Sequence, residues 1–139
     1  DRLRKAPIIR YAGEKEFKGE KYDLVFCTWK EETPHKKADQ YVAWISQKTG
    51  LLKFTQYTLR DNYLKMPGSQ AFYGGIEYSD LRSVDGILIP FKQTIYVNKL
   101  KEDQEEFVHQ MIISEFEFDD FKLEELKPNK DLITSGDNK

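Results

Sequence analysis

The feature that most limits what this chain can become is its alternation. Apolar and polar residues take turns over stretches of about seven to twelve residues, and glycine, proline or acidic residues break the stretches apart. That period is the one of a strand with two distinct faces. The stretches read IIRYAGEKEF, KYDLVFCTW, QYVAWIS, LLKFTQYTL, AFYGGIEYSDLRSV, ILIPFKQTIYVN and FVHQMIISEFEF, the last taken as one long strand. Between them lie Lys18-Gly19-Glu20, Lys48-Thr49-Gly50 and Asp85-Gly86, each with the glycine a tight turn needs, and two polar loops around Pro34 and Pro67. No stretch shows a helical apolar stripe. The expected fold is mainly β: a strongly curved antiparallel meander, with residues 1–139 as one domain and 128–139 as a frayed tail.

The strands are greasy on both sides. Tyr22, Leu24 and Phe26 share one face of the second strand, while Val25, Cys27 and Trp29 share the other. In ILIPFKQTIYV, Ile87, Ile89, Phe91, Ile95 and Val97 oppose Leu88, Pro90, Thr94 and Tyr96. A strand of this kind is covered on both faces. Pro90 lacks a ladder donor, which places it at an edge or a bulge with its nitrogen turned away from the neighbouring strand. Gly74-Gly75 marks a bulge or a close approach.

Nineteen aromatic residues (nine Phe, eight Tyr, two Trp) recur through the chain and argue against disorder in its middle. A net charge of −2 with no basic stripe gives no reason to expect nucleic acid or a polybasic membrane contact. One cysteine, Cys27, excludes an internal disulfide, and with two histidines, His35 and His109, a Cys/His metal site is poorly supplied. No apolar run approaches the roughly 18 residues that cross a bilayer as a helix.

Catalytic patterns are sparse. GxSxG, P-loop, GxGxxG and HExxH are all missing. Cys27 reads as a small apolar residue in a buried strand rather than a nucleophile. His109, in phase with Phe107 and Met111, reads as a partly buried structural histidine. The carboxylates of Asp119 and Asp120 point to opposite faces of an extended chain and do not share an ion. No cofactor and no catalytic residue is expected. The candidate ligand-binding residues are Phe26, Trp44, Phe54, Phe72, Phe91, Ile95 and Met111, aromatic and aliphatic side chains from successive strands that could line one concave surface. Between the two, an ordinary core built of the same residues is the favoured reading.

The order YAGEKEFKGEKYDLVF, QYVAWISQKTGLLKFTQYT, YSDLRSVDGILIPFKQTIYV and SEFEFDDFKLEELKP resembles the periplasmic lipoprotein-carrier-like superfamily (LolA/LolB-like), in particular its Bacteroidetes-type outer-membrane lipoprotein branch. Gly13, Gly19 and Tyr22 to Leu24 match its opening, Thr49-Gly50 its central turn, and Asp85-Gly86 followed by Pro90 its late segment, with Leu81 standing where an aromatic is usual. The resemblance spans residues 8–127. It implies a half-barrel of strands around helices that holds an acyl chain or a lipidated protein, in the periplasm or at the outer membrane. It also implies that an N-terminal helix, further strands and a lipid anchor precede the opening DRLRKAP, which lacks an initiator methionine. The leading expectation is thus a non-enzymatic carrier of a lipophilic ligand or lipoprotein. Two alternatives remain: a structural or interaction module that docks a partner chain, including a second copy of itself, on the open sheet; and an enzyme without recognisable machinery.

Overall fold

The computed structural model describes residues 3–29, 38–58, 73–97 and 99–118. The readings of His35, Phe72, the Pro34 and Pro67 loops, the Asp119-Asp120 pair and the tail lie outside those residues. After one turn of 3₁₀ helix at Leu3–Lys5 come seven strands: β1 (Ile8–Phe17), β2 (Glu20–Thr28), β3 (Gln40–Ser46), β4 (Leu52–Thr58), β5 (Tyr73–Val84), β6 (Ile87–Val97) and β7 (His109–Ile112). They form one antiparallel sheet in the order β1-β2-β3-β4-β5-β6-β7, a meander that is not closed on itself. The described residues contain no α-helix.

The turns explain why the strands meet in these registers. Phe17 pairs with Glu20 and Val84 with Ile87, so two residues bridge each hairpin. Both bridging residues have positive φ: 51° and 73° at Lys18 and Gly19, 49° and 81° at Asp85 and Gly86. That is the type I′ geometry, whose twist matches that of the strands it joins. The third hairpin is longer. Gly50 N donates to Ser46 O at 2.8 Å, Ser46 N donates to Leu51 O at 2.9 Å, and the Ser46 hydroxyl accepts from Thr49 N at 3.1 Å.

Cross-strand partners share a face, so the register sorts the side chains. Leu24 pairs with Trp44, Trp44 with Phe54, Phe54 with Glu77, and Glu77 with Thr94. This face is called the Trp44 face below. The other, the Cys27 face, carries Ile9, Cys27, Tyr41, Tyr57, Gly74 and Val97 in successive pairs. Both contain buried residues: Tyr22, Trp44, Phe54 and Tyr96 on one side, Cys27, Ala43, Thr55 and Phe91 on the other. The expectation of two-sided cover holds.

Gly74 and Gly75 are a close approach, not a bulge, since the β5–β6 register runs through them unbroken. A Cβ on Gly74 would lie 2.4 Å from Tyr57 Cζ, and one on Gly75 would lie 2.6 Å from Leu100 Cδ2. The two faces thus each seat a large side chain on a bare backbone. Pro90 differs from expectation. Phe91 O and Ile95 O accept from Ile113 N and Val108 N on the β7 side. Strand residues alternate between their two neighbours, so Pro90 faces β5, where Leu81 is its partner. The accommodation lies across the ladder: Asp80, next to Leu81, takes a φ of 50°.

One strand is shorter than expected. FVHQMIISEFEF pairs only over His109–Ile112, with Ile113 N adding one further bond to β6. Beyond it the Phe116 and Phe118 rings turn onto each other at 5.1 Å, edge to face, while Glu115 and Glu117 stay exposed.

The seat at Gly75 yields a direct expectation. Gly75→Ala should destabilise the fold by about 1–3 kcal/mol through overpacking against Leu100. Chemical denaturation of Gly75→Ala, Leu100→Ala and the double variant checks it: the double variant should cost clearly less than the sum of the singles.

Candidate functional site

The Trp44 face holds the densest packing. Phe17, Tyr22, Trp44, Phe54, Tyr96 and Leu100 form one buried cluster, with Leu24 and Val42 packed on its margin. Phe17 meets Trp44 and Phe54 edge-on at 5.3 Å each, Tyr22 meets Phe54 at 5.5 Å, and Trp44 meets Phe54 at 5.6 Å. Edge-to-face contacts of this kind set a ring's positive edge against its neighbour's negative face. The Lys15 ammonium lies 4.9 Å from the Trp44 ring centre and Lys18 5.6 Å from that of Phe17, closing the cluster from above with cations.

Polar groups ring these aromatics. Glu20 accepts hydrogen bonds from the Ser46 hydroxyl and, at 3.1 Å, from the Tyr22 hydroxyl. Tyr96 donates to Glu77 at 2.9 Å. Burial, followed by the hydrogen bond and the negative charge of the carboxylate partner, pushes both Tyr22 and Tyr96 up to about 12. The Ser46 hydrogen bond, joined by that of Tyr22, holds the Glu20 carboxyl below its ordinary range against some opposing desolvation. The phenols and the Glu20 carboxyl are thus driven away from neutral pH in opposite directions, the reverse of what a general acid or base requires.

Beside the cluster the same face opens into a hollow of about 180 Å³. Phe26 and Val42 give it an apolar floor; Gln40, Gln56, Thr58 and Lys99 give it polar walls. Gln40 N donates to Thr58 Oγ1 at 3.0 Å, which fixes one wall. The Gln40 side-chain Nε2 is buried without a hydrogen-bond partner among the described residues. The Arg10 guanidinium sits 4.9 Å from the Phe26 ring centre. The volume falls below the ~300–1,000 Å³ of pockets that enclose a whole drug-sized molecule, so the hollow suits one end of a ligand.

The Cys27 face carries a different row. Trp29 meets Tyr41 edge-on at 5.7 Å, and Tyr41 stacks on Tyr57 at 6.1 Å. Cys27 is buried, and burial pushes its thiol up, which suits an inert side chain. Arg82 stacks 4.4 Å from the centre of the Phe91 ring and grips Asp80 through two bonds of 3.1 and 2.6 Å. His109 is exposed on β7, not partly buried, because no further strand covers that edge among the described residues.

The seven candidate binding residues therefore do not line one surface. Phe26, Trp44 and Phe54 lie on the Trp44 face; Phe91, Ile95 and Met111 lie on the Cys27 face; Phe72 is outside the described residues. The β4–β5–β6 registers, which an unaligned sequence does not disclose, decide this split. Of the six, Phe26 borders the hollow, Trp44, Phe54 and Phe91 are packed solid, and Met111 is 46 % exposed. Sequence reasoning missed Phe17, Tyr22, Tyr96 and Leu100 in the cluster and Gln40, Val42, Thr58 and Lys99 in the hollow. Phe17 was within reach, since the Lys18-Gly19 turn sets it beside the next strand's first residue. Among the described residues no three His, Cys, Asp or Glu side chains converge on a metal-sized point. No family model matches the chain, and no curated protein or solved structure is similar to it.

Two measurements test the ring of polar groups. The folded phenols of Tyr22 and Tyr96 sit above their ordinary 10.0, so the stability they add is full below pH 10 and lost as pH rises towards about 12. Phenolate absorbance against pH should show these two tyrosines ionising last, together with alkaline unfolding. Glu20 works in the opposite sense: its contribution is present above 4.5 and lost as pH falls through its lower folded value. Glu20→Gln should flatten the acid limb of the stability profile. Separately, Trp44→Ala should cost about 3–5 kcal/mol, visible as a lowered urea midpoint.

Proposed function

We propose that this chain is a non-enzymatic binding protein of the bacterial envelope, which holds a lipid, an acyl chain or the lipid of a lipoprotein against the Trp44 face of a curved, LolA-like sheet. The observation that carries the reading is the hollow at Phe26 and Val42. It places an apolar floor next to hydrogen-bonding walls, the arrangement that takes one greasy group and orients its polar end. In this reading the compartment is the periplasm or the outer membrane.

A second reading, a module that docks a partner chain on the open sheet, draws on a separate observation. Phe107 and Val108 just before β7, and Met111 and Ile112 within it, are exposed, the last two on opposite faces of this edge strand. Exposed apolar side chains at a strand edge are a typical contact surface.

Extraction of the purified protein with organic solvent, and native mass spectrometry of the intact protein, test the first reading. A co-purifying lipophile near one per chain is the expected result. Val42→Phe, which fills the hollow, should lower occupancy at least about tenfold, equivalent to ~1.4 kcal/mol, with the thermal midpoint little changed. A protein that is empty in both measurements, or occupancy indifferent to Val42→Phe, would remove the lipid reading.

A further inference from the structure

β7 is a four-residue strand whose two sides have different fates. Its inner side is paired: Ile113 N donates to Phe91 O and Val108 N to Ile95 O, both at 2.8 Å. Counted from Ile113 along the Gln93–Met111 and Ile95–His109 pairs, strand alternation turns the N–H and C=O groups of Gln110 and Ile112 outward, and Val108 adds its bond to Ile95 O beyond that run. No strand among the described residues takes them up. Along this edge the polar His109 and Gln110 come first, and Met111 and Ile112 are the exposed apolar side chains, Ile112 at 69 %. Acidic residues bracket the edge: Glu102, Asp103, Glu105 and Glu106 before it, Glu115 and Glu117 after it, all exposed. At the leading end a hollow of about 490 Å³ is walled by Val97, Phe107 and Val108 and rimmed by Asp103, Glu105 and Glu106, with Lys101 beside them. Apolar walls under a carboxylate rim suit a long aliphatic stem with a cationic head.

We propose that the outer edge of β7 binds an extended apolar segment of another protein, flanked at both ends by lysine or arginine, as an added strand. The proposal rests on the docking reading above and names its partner. Main-chain bonds to Gln110 and Ile112 supply the pairing, exposed apolar side chains the contact, and the two acidic flanks the choice of sequence. A second copy fits less well. Two β7 strands paired about a two-fold axis at Gln110 would set Glu105 of one against Glu115 of the other, and like charges placed opposite repel. The β1 strand of a second copy brings Glu14 and Glu16 as well as Arg10 and Lys15, and its register breaks between Tyr11 and Glu14. A bulged edge of that kind resists strand addition.

The test uses the full chain and two synthetic peptides, KKVTVTVKK and EEVTVTVEE. The lysine-flanked peptide should bind at least about tenfold more tightly, a difference of ~1.4 kcal/mol, and salt should weaken it. Amide exchange at Gln110 and Ile112 should slow on binding. Ile112→Pro, which deletes an outward N–H, should abolish binding, while Ile112→Thr, which keeps it, should retain most of it. Equal binding of both peptides overturns the charge assignment. Binding that shifts resonances elsewhere on the sheet and spares Gln110 and Ile112 overturns the edge and leaves the docking reading standing. No perturbation by either peptide, in a chain that sediments as a monomer, brings down both. Self-association through β7 without peptide overturns the choice of partner.

Discussion

The contact on which the rest of this structure depends is the mutual packing of Phe17, Tyr22, Trp44 and Phe54 on one face of the sheet. These rings come from four consecutive strands, and each touches at least two of the others edge-on or tilted. A slip of one residue in any of those strands would carry its ring to the opposite face. The slip would also carry Cys27, Ala43 or Thr55 out of their own buried row. The two rows therefore lock each other. A strand buried on a single face could slide at the cost of one set of contacts; here a slide forfeits two. This is how β2, β3 and β4 keep one register without a covering helix among the described residues; β1 is held from the Phe17 side alone.

Around that cluster the polar groups act as clamps. Glu20 begins β2 and bonds to Ser46, the last residue of β3, and to Tyr22 within β2. Ser46 in turn receives the Thr49 amide of the next turn. One carboxylate thus ties the end of β2 to the following hairpin, and the tyrosine hydroxyls are given the partners that buried phenols need. Because each of these groups is held in the form it already has at neutral pH, the clamp costs nothing to maintain there and weakens only at the acid and alkaline extremes.

Much of the strand framework was legible in the sequence, since its signals are local. Period-two alternation marks β1 to β6 almost to the residue, and Lys18-Gly19 and Asp85-Gly86 announce two-residue turns because few other dipeptides tolerate positive φ twice. The two faces of β2 and of β6 were legible for the same reason. What local pattern does not encode is registry between strands joined by long loops. The binding residues were expected on one surface because all are large and apolar, yet β4 and β5 are joined by residues 59–72, and no turn signal fixes how far such a connection shifts one strand against the other. Phe54 opposes Glu77 and not an aromatic residue of β5, and this single offset sends Phe91, Ile95 and Met111 to the far side. The hollow was illegible for a second reason: Gln40, Thr58 and Lys99 are polar residues at the ends of elements, and nothing in their spacing distinguishes them from solvated loop residues.

The distribution of packing across the sheet separates where it is held from where it can bind. Solid packing lies at the Phe17–Trp44–Phe54 end of one face, and the half-buried Trp29, Tyr41 and Tyr57 rings contact one another in a row on the other. Empty volume and exposed apolar area lie elsewhere, at Phe26 and Val42 and along β7. Residues in the first group exchange contacts with several partners at once, so altering them disturbs the fold before it can disturb a ligand. Residues in the second group have spare faces, and their loss removes little internal contact. The size of a side chain therefore does not say whether it borders free space in this protein. Trp44 is the largest buried side chain and belongs to the frame, whereas Val42, two residues away on the same face, borders the space a ligand could fill.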